Sequence, residues 1–312
     1  MTPDAPPQFD RQTDDAGRGE PRPAGGALRV GPLAAGGERE ALDFLSPRPV
    51  HTVVMSSLIG EHGLESARNR GTFYGCRSAT GRLEGVALLG HVTLFEARSR
   101  EALRALACAA RSQQQRPHVI LGERAKAREF WSAYADGVEP PHRSRPELLF
   151  ELSRPIRPGE DAQASPDGDT PALRLATLAD APLAAEAHAE LIERQSGVNP
   201  MACDAEGFAA RTARRIERGR VWVWVRDGRL VFKADVVAET PEVIYLEGVY
   251  VRPEERGRGH GLRCLTRLSR ELLARAARIC LLVSADNVRA QEFYRRAGYR
   301  HLSDYETIFL RP

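Results

Sequence analysis

Val251-Arg-Pro-Glu-Glu-Arg256-Gly-Arg-Gly259-His-Gly261 follows an apolar strand and opens a long helix. Arg256, Gly259 and Gly261 set the pattern R-x-x-G-x-G. A Gly-rich turn at a helix N-terminus presents outward-pointing backbone N–H groups where the helix dipole favours an anion. Gly257, Gly259 and Gly261 let the backbone come close to a phosphate, the amide of His260 lies between them, and Arg256 and Arg258 add charge. The stretch reads as a pyrophosphate cradle. An ordinary strand-to-helix loop needs one glycine to start its helix, but not Arg and Gly at this register.

Outward from this turn, the periodicity predicts strands over 172–175, 221–226, 230–237, 243–251 and 279–284. Asp227-Gly228 between the second and third of these is a hairpin signal. Helices are expected from the Asp180 cap to about residue 193, over 205–218, from the Gly-rich turn onward, and over 289–297. Leu262, Leu265, Leu268, Leu272 and Ala276 keep helical spacing in the third of these. One or two strands close the chain from Tyr299. Residues 28–153 echo this succession. Helices are expected over 38–45 and 50–61, broken by Pro47 and Pro49, then strands over 72–76, 83–90 and 92–96. Helix 100–111, strand 119–122, helix 126–135 and strand 148–152 follow. The same order twice at a domain-sized period suggests a duplicated fold.

The 312 residues suffice for two ordinary domains. Residues 1–27 are rich in Pro, Gly, Asp and Arg and are expected to be disordered. Residues 154–170 read as a linker, which leaves globular segments 28–153 and 171–312. A formal net charge of +3 makes no case for nucleic acid or a membrane surface. Lysine occurs only at 126 and 233. The cysteines at 76, 108, 203, 264 and 280 lack C-x-x-C spacing and read as reduced thiols of a cytoplasmic protein. The histidines form no ligand spacing, so no metal is expected. No apolar run reaches membrane-spanning length, and the N-terminus does not read as a signal peptide.

The R-x-x-G-x-G turn, preceded by Leu246-Glu-Gly-Val-Tyr-Val251, resembles the acetyl-CoA site of the GNAT N-acetyltransferase superfamily. Asn287-Val-Arg-Ala290-Gln-Glu-Phe293-Tyr294-Arg-Arg-Ala-Gly298-Tyr299 resembles the superfamily's N-x-x-A-x-x-F-Y-x-x-x-G-[FY] segment. With Val231-Phe-Lys-Ala-Asp235, the chain further resembles bacterial GNAT proteins carrying an N-terminal domain of the DUF4081 type. The resemblance implies an α/β protein of two tandem GNAT-like domains, each a mixed central sheet flanked by helices. The N-terminal one reads as degenerate, because 97–101 lacks the R-x-x-G-x-G turn and no counterpart of Asn287 follows.

The resemblance further implies an acetyl-CoA-dependent N-acyltransferase acting by direct transfer on a primary amine of a small molecule or peptide. Backbone groups of Val249, Tyr250 and Val251 would pair with the pantetheine arm, and the amides of 256–261 would take the pyrophosphate. Asn287 matches a cofactor contact, against a simple helix N-cap, and the two roles are compatible. Tyr294 matches the tyrosine beside the sulfur, against a core aromatic on the face of Ala290 and Ala297. Strand alternation sets Glu247 on one face with Val249 and Val251. Glu247 reads equally as a base acting through water and as a strand Glu paired to an Arg. Lys233 and Asp235 read as a pair. A non-catalytic acyl-CoA-binding regulatory module stays open, as does a different nucleotide, although no Walker lysine follows the glycines. A homodimer also stays open.

Overall fold

In the computed structural model, residues 27–114, 116–135, 140–154 and 172–310 are described. The expected disordered stretch 1–27 and linker 154–170 lie, apart from residues 27 and 154, outside the described residues. The N-terminal half runs β1 (Arg29–Pro32), α1 (Glu38–Leu45), α2 (Pro49–His62), β2 (Gly71–Arg77), β3 (Leu83–Gly90), β4 (Val92–Ala97), α3 (Arg100–Arg111), β5 (Val119–Glu123), α4 (Arg124–Tyr134) and β6 (Arg143–Leu152). The C-terminal half runs β7 (Arg174–Leu175), α5 (Ala181–Ser196), α6 (Pro200–Glu217), β8 (Val221–Arg226), β9 (Arg229–Glu239), β10 (Val243–Val251), α7 (His260–Leu273), β11 (Arg278–Ser284), α8 (Val288–Arg296) and β12 (Arg300–Phe309). The succession of strands and helices is identical in the two halves.

All twelve strands form one sheet in the order β1-β2-β3-β4-β5-β12-β6-β11-β10-β9-β8-β7. Swapping the halves and reversing the direction leaves this order unchanged. The two halves therefore share a sheet about a pseudo-twofold between β12 and β6. Each half's last strand lies in the other half's part of the sheet. β12 pairs antiparallel with β5, and β6 pairs antiparallel with β11. The exchanged strands also pair with each other from Arg300↔Glu151 to Phe309↔Arg143.

Helices cover both faces. The Leu265, Leu268 and Leu272 stripe of α7 packs on Phe232, Ile244 and Leu246. α2 of the N-terminal half crosses onto the C-terminal strands, where Val50 and Val53 join Val243, Tyr245 and Tyr305. Burying each of those valines contributes roughly 1.5–3 kcal/mol, so the junction is a core and not a surface contact.

Local chemistry explains where elements begin and end. Pro49 does not break a helix but starts α2, a position where its missing N–H costs nothing. Asp227 and Gly228 both have positive φ (50° and 70°), as a two-residue turn between β8 and β9 requires. α6 starts at Pro200, ahead of the expected 205, with a kink at Asp204, whose carboxylate accepts from the Gly207 amide at 2.9 Å. β1 was not expected from the sequence, being four residues with a single large apolar side chain, Val30, beside glycine and proline. A single strand closes the chain.

Candidate functional site

β10 and β11 run parallel and pair from Val243↔Arg278 to Leu246↔Leu281, and the pairing stops there. The cause lies in β10, whose register against β9 shifts between Glu247 and Tyr250. Gly248 takes φ +61° inside this bulge, a conformation that side chains disfavour. The backbone of Val249 to Val251 thus faces a gap instead of β11.

The bulge also corrects the expected alternation. Glu247 does not share a face with Val249 and Val251. The extra residue turns Val249 and Val251 toward the core under α7, whereas Tyr250 joins the cluster under α5. Tyr250 donates to Glu190 at 2.6 Å. Glu247 keeps to the face of Tyr245, whose hydroxyl donates to it at 2.8 Å. Solvent reaches Glu247, but the protein crowding it raises its carboxyl above the ordinary range. The Tyr245 bond and the Arg215 charge offset part of that rise. The Arg pairing considered for Glu247 reduces to this longer-range effect.

Lys233 and Asp235 do pair, at 2.6 Å, and both are buried on β9 directly under the bulge. A Cβ at Gly248 would lie 3.1 Å from Asp235 Oδ2 and 3.2 Å from Lys233 Nζ, so glycine lets the bulge rest on the pair. His188 lies 3.8 Å from the same carboxylate, and burial, reinforced by Lys233, lowers it to about 4. Only the Lys233–Asp235 spacing was readable in the sequence; His188 of α5 and Arg215 of α6, 3.5 Å from Asp235, join the pair from distant positions.

The Gly-rich turn stands at the end of the gap. Gly257 and Gly259 have φ of 78° and 75°, and Gly259 caps α7 without any side-chain hydrogen bond. The first amides of α7 are therefore left to an external acceptor. Gly261 is required by contact: a Cβ there would sit 2.7 Å from Val251 Cγ2. Arg256 ties the turn to β10, its Nε donating to the Val251 carbonyl at 3.0 Å. Its charge is disfavoured by burial and by Arg194 and Arg289 nearby, a surplus of cations that an anion would relieve. Arg258 is exposed and reaches Glu255 at 3.4 Å. The His260 side chain is buried edge-on against Trp224, with Arg263 2.7 Å from its Nδ1, which leaves its amide for the turn.

Asn287 is an N-cap, its Oδ1 accepting from the Ala290 amide at 3.1 Å. Tyr294 is 8% exposed among Phe150, Phe293 and Tyr299, and burial raises its hydroxyl well above the ordinary range. Cys264 and Cys280 are buried packing residues, the first pushed up to about 12 by burial. Among the described residues no His, Cys, Asp and Glu group of three or more is placed to hold a metal ion. No helix there is long and apolar enough to cross a membrane.

The corresponding place in the N-terminal half lacks the Gly-rich turn and differs at the helix start. β4 and β5 also part early, after Thr93↔Ile120. The helix beyond, α3, is capped from within: Ser99 Oγ accepts from the Ala102 amide at 3.1 Å.

Residues 186–299 match the acetyltransferase (GNAT) family. A Drosophila protein solved by X-ray is similar in fold, with a TM-score of 0.65 at 16% identity over 91% of this chain and 98% of its own. A tandem GNAT protein from the clavulanic acid biosynthesis pathway has a TM-score of 0.56 at 17% identity, over 92% of this chain and 99% of its own. The GCN5-related N-acetyltransferase from Sphaerobacter thermophilus has a TM-score of 0.54 at 14% identity, over 91% and 96%. At such identities the likeness is one of fold, and it extends over both halves. No curated protein matches the chain by sequence.

Proposed function

We propose that the chain is an acetyl-CoA-dependent N-acyltransferase that moves an acetyl group to a primary amine of a small molecule or peptide by direct transfer. The observation that carries this reading is the parting of β10 from β11 directly before the uncapped start of α7. The residues present fit the co-substrate. The amides of Arg256 to Gly261 would hold the pyrophosphate, and the backbone of Val249, Tyr250 and Val251 would pair with the pantetheine arm. Acetyl-CoA supplies the activated acyl thioester.

The chain's own residues then have three tasks. Glu247, its carboxyl raised above its ordinary value by the protein around it, takes a proton from the substrate ammonium through water, so that a neutral amine attacks. The amide-lined gap stabilises the charge on the carbonyl oxygen. Tyr294, which holds its proton tightly, gives it to the departing thiolate and is reprotonated by the second proton that the amine nitrogen loses as the amide forms. Asn287 fixes the start of α8 and so the placing of Tyr294. The N-terminal half is a degenerate counterpart in this reading, because Ser99 already fills the helix start where a pyrophosphate would bind.

Release of free thiol from acetyl-CoA, followed across a panel of primary amines, tests the reading. Turnover with at least one amine is expected. Tyr294→Phe should lower kcat by about 10²-fold or more. CoA binding without turnover at any pH would overturn it in favour of a non-catalytic acyl-CoA-binding regulatory module.

A further inference from the structure

Where α2 crosses the seam between the halves, it roofs a cavity of about 50 Å³. Its walls come from both halves: Val50 and Val54 of α2, Leu121 of β5, Leu149 of β6, Leu282 of β11 and Tyr305 of β12. It lies in the gap where β4 and β5 part, remote in sequence from the Gly-rich turn. A water-sized group needs roughly 10–15 Å³ of such space. The cavity therefore accepts roughly three to five such groups, enough for a branched aliphatic side chain.

One end is polar. Arg48 spans Glu96 at 3.2 Å and Glu123 at 2.7 Å. Lys126 spans the same two carboxylates at 2.5 and 3.3 Å. Glu96, Glu123 and Lys126 line the cavity, and Arg48 backs the two carboxylates from outside the lining. His51, 2.9 Å from the Tyr305 hydroxyl, adds no charge near neutrality, because burial and then Arg48 hold it below its ordinary range. Two cations and two anions make this end neutral overall. A ligand with one net charge meets repulsion equal to its attraction, whereas a zwitterion can turn its carboxylate to Lys126 and its ammonium to Glu96 and Glu123, with Arg48 behind those two carboxylates.

We propose that this seam cavity is a binding site for a small branched aliphatic α-amino acid. The side chain fills the apolar end and the zwitterionic head meets Lys126, Glu96 and Glu123. Tyr245 forms part of the same wall and also donates to Glu247, so the site adjoins the acyl-transfer groove without belonging to it.

Isothermal titration of the full chain, without acetyl-CoA, tests this apart from any catalytic reading. The probes are L-valine and L-leucine, 4-methylpentanoate, 3-methylbutylamine and 3-methylbutanol. Saturable binding of an amino acid, at least tenfold tighter than of the other three, is the expected result. Glu123→Gln should weaken it about tenfold, and Val54→Phe, which fills the apolar end, should abolish it. Thermal unfolding of both variants without ligand checks that they fold. Equal binding of the alcohol, acid or amine, or no binding of either amino acid, would overturn the proposal.

Discussion

Glu247 and His188 are both crowded by protein, yet their protonation is pushed in ways that have different consequences. The Tyr245 hydroxyl stabilises the Glu247 carboxylate and so limits the rise that burial imposes. Tyr245→Phe removes that bond, and the acid limb of the kcat/KM profile should move to higher pH, with a smaller effect at its alkaline plateau. A profile that does not move would detach Tyr245 from the base. His188 is lowered to about 4 by burial, from an unfolded value near 6.5. Between those values the unfolded chain binds more protons, so stability rises with pH. This contribution is complete above about 6.5 and is lost as pH falls toward 4. His188→Gln should flatten that window by on the order of 2 kcal/mol, as read from denaturant unfolding at a series of pH values.

At the scale of elements, the turn that starts α7 has two glycines for conformation and one for contact. Gly257 and Gly259 have positive φ, whereas Gly261 lets α7 press against Val251 and Phe293. Gly261→Ala must move α7 off β10, which should destabilise the fold by about 1–3 kcal/mol. The same shift should raise KM for acetyl-CoA more than it lowers kcat. Steady-state kinetics and thermal unfolding on one preparation separate the two effects. An unchanged KM would mean that the start of α7 does not hold the co-substrate. These elements were largely legible, because R-x-x-G-x-G, Asp227-Gly228 and the leucine stripe of α7 are local signals with local causes. The bulge in β10 was not legible. Val-Ile-Tyr-Leu-Glu-Gly-Val-Tyr-Val reads as one uninterrupted strand, and only pairing with β9 makes Gly248 the extra residue. The cluster of Lys233, Asp235, His188 and Arg215 was half legible, as a pair two apart on a strand whose partners come from other elements.

For the whole molecule, the decisive fact is the exchange of β6 and β12, which composition and periodicity cannot reveal. Apolar alternation marks a strand and its buried face, but an antiparallel strand can pair with either half on that information. The doubled succession of elements was readable; the neighbours of the last strands were not. The exchange makes each half's fold depend on the other. In residues 172–310 alone, β11 loses the whole of β6, from Ile279↔Leu152 to Ser284↔Glu147, and β12 loses both β5 and β6. The α2 residues Val50 and Val53 also leave Tyr245 uncovered, one bond from Glu247. A fragment with two open sheet edges and an exposed apolar face should aggregate or remain unfolded. Expressed alone, 172–312 is therefore expected to be insoluble and inactive. Coexpression with 27–154 as a separate chain should restore a soluble 1:1 complex with thiol-releasing activity, since the strands pair across the seam and not through the connecting segment. Size-exclusion chromatography and far-UV circular dichroism would decide between these outcomes. A soluble, folded 172–312 with full activity would mean that the strand exchange is dispensable and that the acceptor side of the groove needs nothing from the N-terminal half.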